Sequence, residues 1–261
     1  MWVGAVRLTK GVLMITVKFS KATEQAKLQG IASWLGYKPN VYSFSLPSGY
    51  SCPFALDCLS KADKDTGKIT DGIHTRYRCF SATTEAYAKQ ARNQRWHNFD
   101  ILRHLDYQSM VDVLHASLPS KCDICRVHVG GDFFNQKYFD AWMEVARLNP
   151  ETIFYAYTKS LPYWIERINS IPTNFVLTAS RGGRYDNLID KHNLKVAEVV
   201  FSLEEAKQKN LPIDHNEYHA INNTGNFALL IHGTQPKNTP ASIAIKELNN
   251  KGVKYAYTAK R

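Results

Sequence analysis

Five cysteines are the residues in this chain best suited to chemistry, and they divide into two groups. Cys52, Cys58 and Cys79 lie on one connection between an apolar strand and a helix. The segment between Cys58 and Cys79 is rich in Lys, Asp, Thr and Gly, so it reads as a solvated loop that can fold back and bring Cys79 beside the other two. Thiolates that converge on one point serve a soft metal or an iron–sulfur cluster. Three of them leave one position open, and a cubane cluster tolerates that arrangement with one iron free. The reading is therefore a [4Fe–4S] cluster held by Cys52, Cys58 and Cys79, ahead of zinc, with His74 as an outside candidate for a fourth ligand.

Cys122 and Cys125 form the second group, a Cys-x-x-Cys just before an apolar strand. Crossing a strand of about six residues moves the chain roughly 20 Å, so one cluster does not reach both groups. The pair is expected to be structural and unligated; the alternative takes Cys125 as a fourth ligand and requires the opposite strand polarity.

The elements that must position these thiols follow from hydrophobic spacing. A helix is expected over Thr23–Leu35 and a first strand over Val41–Leu46, with the cysteine loop leaving the strand's C-terminal end. Helices follow at Thr83–Arg103 and Asp106–Leu118. Strands then alternate with helices: Arg126–Val129, Gln136–Leu148, Thr152–Tyr157, Pro162–Ile168, Phe175–Thr178, Asn187–Lys191, Ala197–Phe201, Leu203–Lys209, Phe227–Ile231 and Ser242–Asn249. This alternation is the pattern of an α/β protein with parallel strands. A complete or partial (β/α) TIM-like barrel is the first expectation and an open doubly wound sheet the second. Neither Gly-x-Gly-x-x-Gly after a strand nor a Walker loop occurs, which argues against dinucleotide and P-loop folds.

In such folds the site gathers at the C-terminal ends of the strands. The polar residues there are Asp132 after Gly130-Gly131, then Thr158-Lys159-Ser160, Ser180-Arg181, and His232 with Thr234 and Gln235. Asp132, Lys159, Arg181 and His232 are the candidate catalytic residues. Lys159 and Arg181 suit an anionic group, and His232 suits proton transfer or ligation. His128 reads as a satisfied core histidine. Asp214, His215 and His219 read as a polar loop.

The 261 residues are 44 % hydrophobic, enough for one large core. Residues 1–22 read as an N-terminal extension, with Met14 as an alternative start, and residues 23–261 as a single barrel-like domain. No apolar run reaches the roughly 20 residues of a membrane span, and Met1–Leu13 lacks the form of a signal peptide. A reducing cytoplasm is the expected compartment, where thiols stay available to metals. The net charge is +10, compatible with a polyanion partner. Arg92, Arg95, Trp96 and His97 resemble a basic–aromatic patch for nucleic acid. The simpler reading packs Trp96 inward and exposes the arginines.

Several stretches resemble the phage "gene product 88"-like proteins: Phe44–Pro53, Asp57-Cys58-Leu59, Arg78-Cys79-Phe80, Arg95–Asn98, Val127–Phe134, Tyr155–Ser160 and Ile231–Pro236. The resemblance runs from about Leu28 to the C-terminus. It implies a phage-encoded protein working in an infected bacterial host. The family is also distantly similar to radical S-adenosylmethionine barrels, in which a cluster follows the first strand and a Gly-Gly-acid stretch follows a later one. This chain has Cys-x5-Cys and a distant Cys79 where those enzymes carry Cys-x3-Cys-x2-Cys, so S-adenosylmethionine as a second cofactor rests on that distant similarity alone. The expected function is redox chemistry beside a [4Fe–4S] cluster, by electron transfer or activation of a small-molecule ligand, with an unidentified electron donor. An enzyme of this kind would be an oxidoreductase or radical S-adenosylmethionine-like. The alternative is a nucleic-acid-binding module stabilised by zinc or a structural cluster; a third option is a cysteine-nucleophile enzyme, with one reactive thiol and no metal.

Overall fold

The computed structural model describes residues 15–22 and 30–253. Met1–Leu13 and the first part of the expected helix Thr23–Leu35 lie outside the described residues. The rest of that helix is α1, Ile31–Leu35, which Gly36 ends in a left-handed conformation.

The core is a seven-stranded sheet that does not close. Its strands, in spatial order, are β1 (Ser20–Lys21), β2 (Val41–Phe44), β5 (Ile124–Val127), β6 (Ile153–Thr158), β7 (Phe175–Ser180), β8 (Val196–Val200) and β9 (Phe227–Leu230). β1 pairs antiparallel with β2, and every later pairing is parallel. Residues 15–22, expected to be an extension, run along this domain: Val17 is buried and β1 forms the sheet edge.

From β2 onward the strands add in sequence order. Right-handed crossovers that always advance in one direction place their helices on one face. That face is covered by α3 (Lys89–Leu102), α4 (Tyr107–Ser117), α5 (Gln136–Leu148), α6 (Leu161–Ile165) and α7 (Asn187–Lys191), packed on Phe44, Val127, Phe154, Phe175 and Leu177. Trp142, Tyr138 and Phe139 of α5 are fully buried there. α8 (Leu203–Gln208) and α10 (Pro240–Asn250) cover β8 and β9. Alternating strand residues, Val41, Ile124, Tyr155 and Phe227, face the other side. α1 and the short α9 (Tyr218–Ile221) pack there, near the strand beginnings. Beyond them, over the C-terminal ends of the strands, lies the segment that carries Cys52, Cys58 and Cys79.

Three expectations are corrected. The polar segment after Cys58 is not a plain loop: β3 (Ser60–Ala62) and β4 (Ile69–Asp71) form an antiparallel hairpin. Its turn is built by Asp63, whose carboxylate accepts from the Thr66 amide and hydroxyl, with Gly67 in the left-handed region. The single helix expected over Thr83–Arg103 is two, α2 (Phe80–Tyr87) and α3, broken at Ala88. Barrel closure is absent, although the strand and helix order is as expected.

Candidate metal centre

Cys52, Cys58 and Cys79 line one cavity of about 150 Å³, together with Arg126, His128, Gly130–Asp132, Tyr157, Lys159, Ser180 and His232. It lies over the C-terminal strand ends, so the fold carries residues 27 positions apart to one place. None of the three cysteines is in a disulfide, and each is partly buried.

Each cysteine segment is fastened to a different part of the rim. Cys52 sits in a tight turn where its Sγ accepts from the Gly49 amide at 3.3 Å and Ser51 Oγ donates to the Pro47 carbonyl. Gly131, at φ +86°, lies against that turn; a Cβ there would come within 2.5 Å of Ser51 Oγ. The segment before Cys58 is pinned to the loop after β7, where the amides of Leu56 and Asp57 both donate to the Gly182 carbonyl and Ala55 bridges Gly183. Cys79 is tied to the loop after β9: Gln235 accepts from the Arg78 amide at 2.7 Å and donates to the Arg78 carbonyl at 3.0 Å, as a neighbouring strand would.

A buried ion pair joins these segments from behind. Glu85 Oε1 accepts from Arg95 Nη1 at 2.6 Å, from the Ser48 amide at 3.0 Å and from the Ser48 hydroxyl at 2.8 Å. Arg95 also donates to the Ser81 carbonyl and hydroxyl. Gly130 leaves the space this network needs, since a Cβ there would fall 2.1 Å from Ser81 Oγ. Arg92 binds the carbonyls of Glu85, Lys64 and Asp65, so it holds the β3–β4 hairpin. Arg92 and Arg95 are therefore buried, not displayed for nucleic acid, and only Trp96 packs inward as expected.

Burial dominates the electrostatics of the three thiols. Burial pushes all three thiols up, Cys79 to about 11. The neighbouring thiols add to the rise at Cys52 and Cys79, Lys159 opposes it at Cys58, and the amides of Ser81 and Ala82 oppose it at Cys79. Buried uncompensated thiolates are unfavourable, so burial favours the protonated thiols. Among the described residues no three His, Cys, Asp or Glu side chains are grouped to hold a single ion. The three thiols share the cavity lining without forming such a group.

The remaining candidates separate. Asp132 is buried and its carboxyl is pushed up to about 6 by burial, against three hydrogen bonds from Thr158 Oγ1, the Lys159 amide and the Phe133 amide. Both its oxygens are engaged in joining the ends of β5 and β6. Lys159 Nζ donates to the Ser180 carbonyl and hydroxyl and the Arg181 carbonyl. His232 Nδ1 meets the Leu230 carbonyl at 2.9 Å, and its ring lies 4.8 Å from that of Phe80. Arg181 does not join them: it pairs with Asp190 and Glu198 and is absent from the cavity lining. Cys122 and Cys125 are buried at the start of β5. Asp214 is buried, holding the Asn216 and Ala220 amides ahead of α9. A larger and more open groove of about 340 Å³ on the helix side carries no thiol, and its arginines are paired, Arg147 with Glu144 and Arg167 with Asp140.

Sequence reasoning missed Glu85, the buried role of Arg95, and Arg126, which pairs with the buried Glu217 at 3.0 Å and lies 5.0 Å from the Tyr157 ring centroid. A charged residue inside an apolar strand, as Arg126 is, was the available signal for the last. Nothing in the local pattern marked Glu85.

Two curated relatives are similar to part of the chain, the gene 88 proteins of Mycobacterium phages L5 and D29. They are 31 % and 30 % identical over 128 residues, 45 % of this chain and 47 % of each relative. The chain spans about half the length of the curated relatives it matches. No solved structure matches. Both relatives being phage proteins supports a bacteriophage origin. No helix among the described residues is long and apolar enough to cross a membrane. The family model "Gene product 88" matches residues 14–251, covering the sheet and every residue of the cysteine cavity, and the chain belongs to that family.

Proposed function

We propose that this protein binds a [4Fe–4S] cluster through Cys52, Cys58 and Cys79 and works in redox chemistry in the host cytoplasm. The observation that carries the reading is that three thiols from separate segments line one cavity at the C-terminal strand ends. The cluster would supply a one-electron couple and an iron open to a further ligand. The chain's own residues hold it. Backbone amides face the sulfurs of Cys52 and Cys79, and Lys159 places positive charge beside Cys58; both favour a negatively charged thiolate–iron group. The sheet, with strands in sequence order from β2 to β9, is read as a partial (β/α) barrel that this loop caps.

Anaerobic purification with iron and sulfide analysis tests the proposal. The expected result is a brown protein with iron and sulfide in equal amounts. Colourless protein holding stoichiometric zinc, or no metal after cluster reconstitution, overturns it.

A further inference from the structure

The arginines that the sequence offered as a nucleic-acid patch are buried, but they build a different basic surface beside them. Arg92 donates to the carbonyls of Lys64, Asp65 and Glu85, which locks the turn of the β3–β4 hairpin against the break between α2 and α3. Gly67 sits in the same joint, since a Cβ there would come within 2.7 Å of the Ala86 carbonyl. The residues displayed around that joint are therefore fixed in position. Tyr87, at the break, is 73 % exposed, and Lys64, Lys68 and Lys89 are exposed as well.

A row of rings and cations runs from the hairpin along α3. Lys61 Nζ lies 5.1 Å from the centroid of the Tyr50 ring, Tyr50 meets Trp96 edge-on at 4.7 Å, and Trp96 meets Phe99 at 5.9 Å. Lys64 stands over Trp96 at 5.0 Å and Arg103 over Phe99 at 5.4 Å. Asp100 pairs with both of these cations, at 2.6 Å from Lys64 and 2.9 Å from Arg103. Exposed pairs of this kind are weak, so phosphates compete readily with the shared carboxylate. Trp96 and Phe99 are buried and form the base of the row, whereas Tyr50 is 39 % exposed. Asp63 and Asp65 are the acids of the hairpin turn, and Asp63 is committed to building it. Lys61, Lys64, Lys68, Lys89 and Arg103 thus outnumber Asp63, Asp65 and Asp100, in a chain of net charge +10. Such a surface complements a polyanion.

We propose that this hairpin–α3 ridge is a docking surface for single-stranded nucleic acid. The phosphates lie along the lysines and Arg103, and bases meet the exposed rings of Tyr50 and Tyr87. Single strands are held in this way, by cations that track the backbone and rings on which any base can stack. A duplex keeps its bases stacked on one another and leaves those two rings nothing to meet. The inference stands apart from the cluster reading, because none of these residues lines the thiol cavity.

The test is fluorescence anisotropy of fluorescein-labelled oligo(dT) titrated with the full-length protein at about 50 and about 200 mM salt. Binding is expected at the lower salt and should weaken steeply at the higher, as phosphate contacts release counterions. Lys61→Glu combined with Lys64→Glu should weaken binding roughly 10-fold or more and flatten the salt dependence. Tyr87→Ala should weaken it at least about 5-fold through the lost stacking. Lys207→Glu combined with Lys246→Glu makes the same change in net charge on α8 and α10 and should leave binding unchanged. All five substituted residues are exposed, so the variants should keep the fold, which circular dichroism checks. No binding at the lower salt, equal losses in the two double variants, an unaffected Tyr87→Ala, or an affinity for duplex oligo(dA)·oligo(dT) as high as for the single strand overturns the inference.

Discussion

The two ends of strand β5 put the same residue type in opposite situations. At its beginning Cys122 and Cys125 have the closer spacing, yet both are buried in the main core, with Cys122 Sγ near the Ile124 carbonyl and Thr152 bound to the Cys122 carbonyl. Beyond its other end, Gly130 and Gly131 make room for a turn and a helix that bring in cysteines from far away in sequence. Spacing along the chain therefore says less about a thiol's use than its place relative to the sheet. A cysteine at a strand's start is absorbed by packing. One delivered by a loop to the strand's end meets amides, a lysine and open space.

Four measurements sharpen or break this contrast. The largest effect is expected from Cys58→Ala or Cys79→Ala, which should abolish iron loading while Cys122→Ala retains it; iron loss in Cys122→Ala alone would reverse the assignment of the two ends. Next, Glu85→Ala leaves Arg95 buried without its partner and should cost about 3–5 kcal/mol in chemical denaturation. A loss near zero would mean the ion pair does not fasten the cysteine segments.

The third concerns pH. His128 takes its proton near 6.5 in the unfolded chain but near 3 in the fold. Between those values the unfolded state binds more protons, so stability is lost as pH falls, by at most about 1.4 kcal/mol per pH unit. Asp132, raised to about 6, acts in the opposite sense between about 6 and 3.8. The difference between wild type and His128→Asn isolates the histidine: on metal-free protein the variant should lose its extra acid sensitivity below pH 6.5. Parallel curves for the two proteins would refute the buried neutral imidazole. The smallest effect is expected from Cys122→Ala on stability, roughly 1–2 kcal/mol for a small buried side chain. A loss above that would give the pair more than a packing role.

The parallel strands were readable because their buried runs, Phe154-Tyr155-Ala156 for one, are bounded by polar ends, and α5 because Tyr138, Phe139, Trp142, Met143 and Ala146 mark one face. The hairpin was hidden because its strands, Ser-Lys-Ala and Ile-Thr-Asp, carry little apolar patterning and pair through a turn centred on Asp63. The break at Ala88 has no glycine or proline to announce it; it is set by Arg92 reaching back to the Glu85 and Ala86 carbonyls. Closure was illegible for another reason: local periodicity specifies that strands follow helices, not how far the sheet curls. Of the site, the cysteines and strand-end residues stood out by type and place, and Arg181 shared the place without the cavity. Glu85, Arg95 and His128, whose buried Nδ1 has no hydrogen-bond partner among the described residues, depend on contacts between distant segments, which no window of sequence displays.

The strap from Ala55 to Asp57 across Gly182 and Gly183 also governs when the pocket comes into being. Its thiols are among the early residues to leave the ribosome, yet the groove that receives them is finished only after Gln235 has emerged to grasp Arg78. A nascent chain therefore carries its sulfurs unassembled for most of synthesis, and the cavity they line is completed only near the end of it.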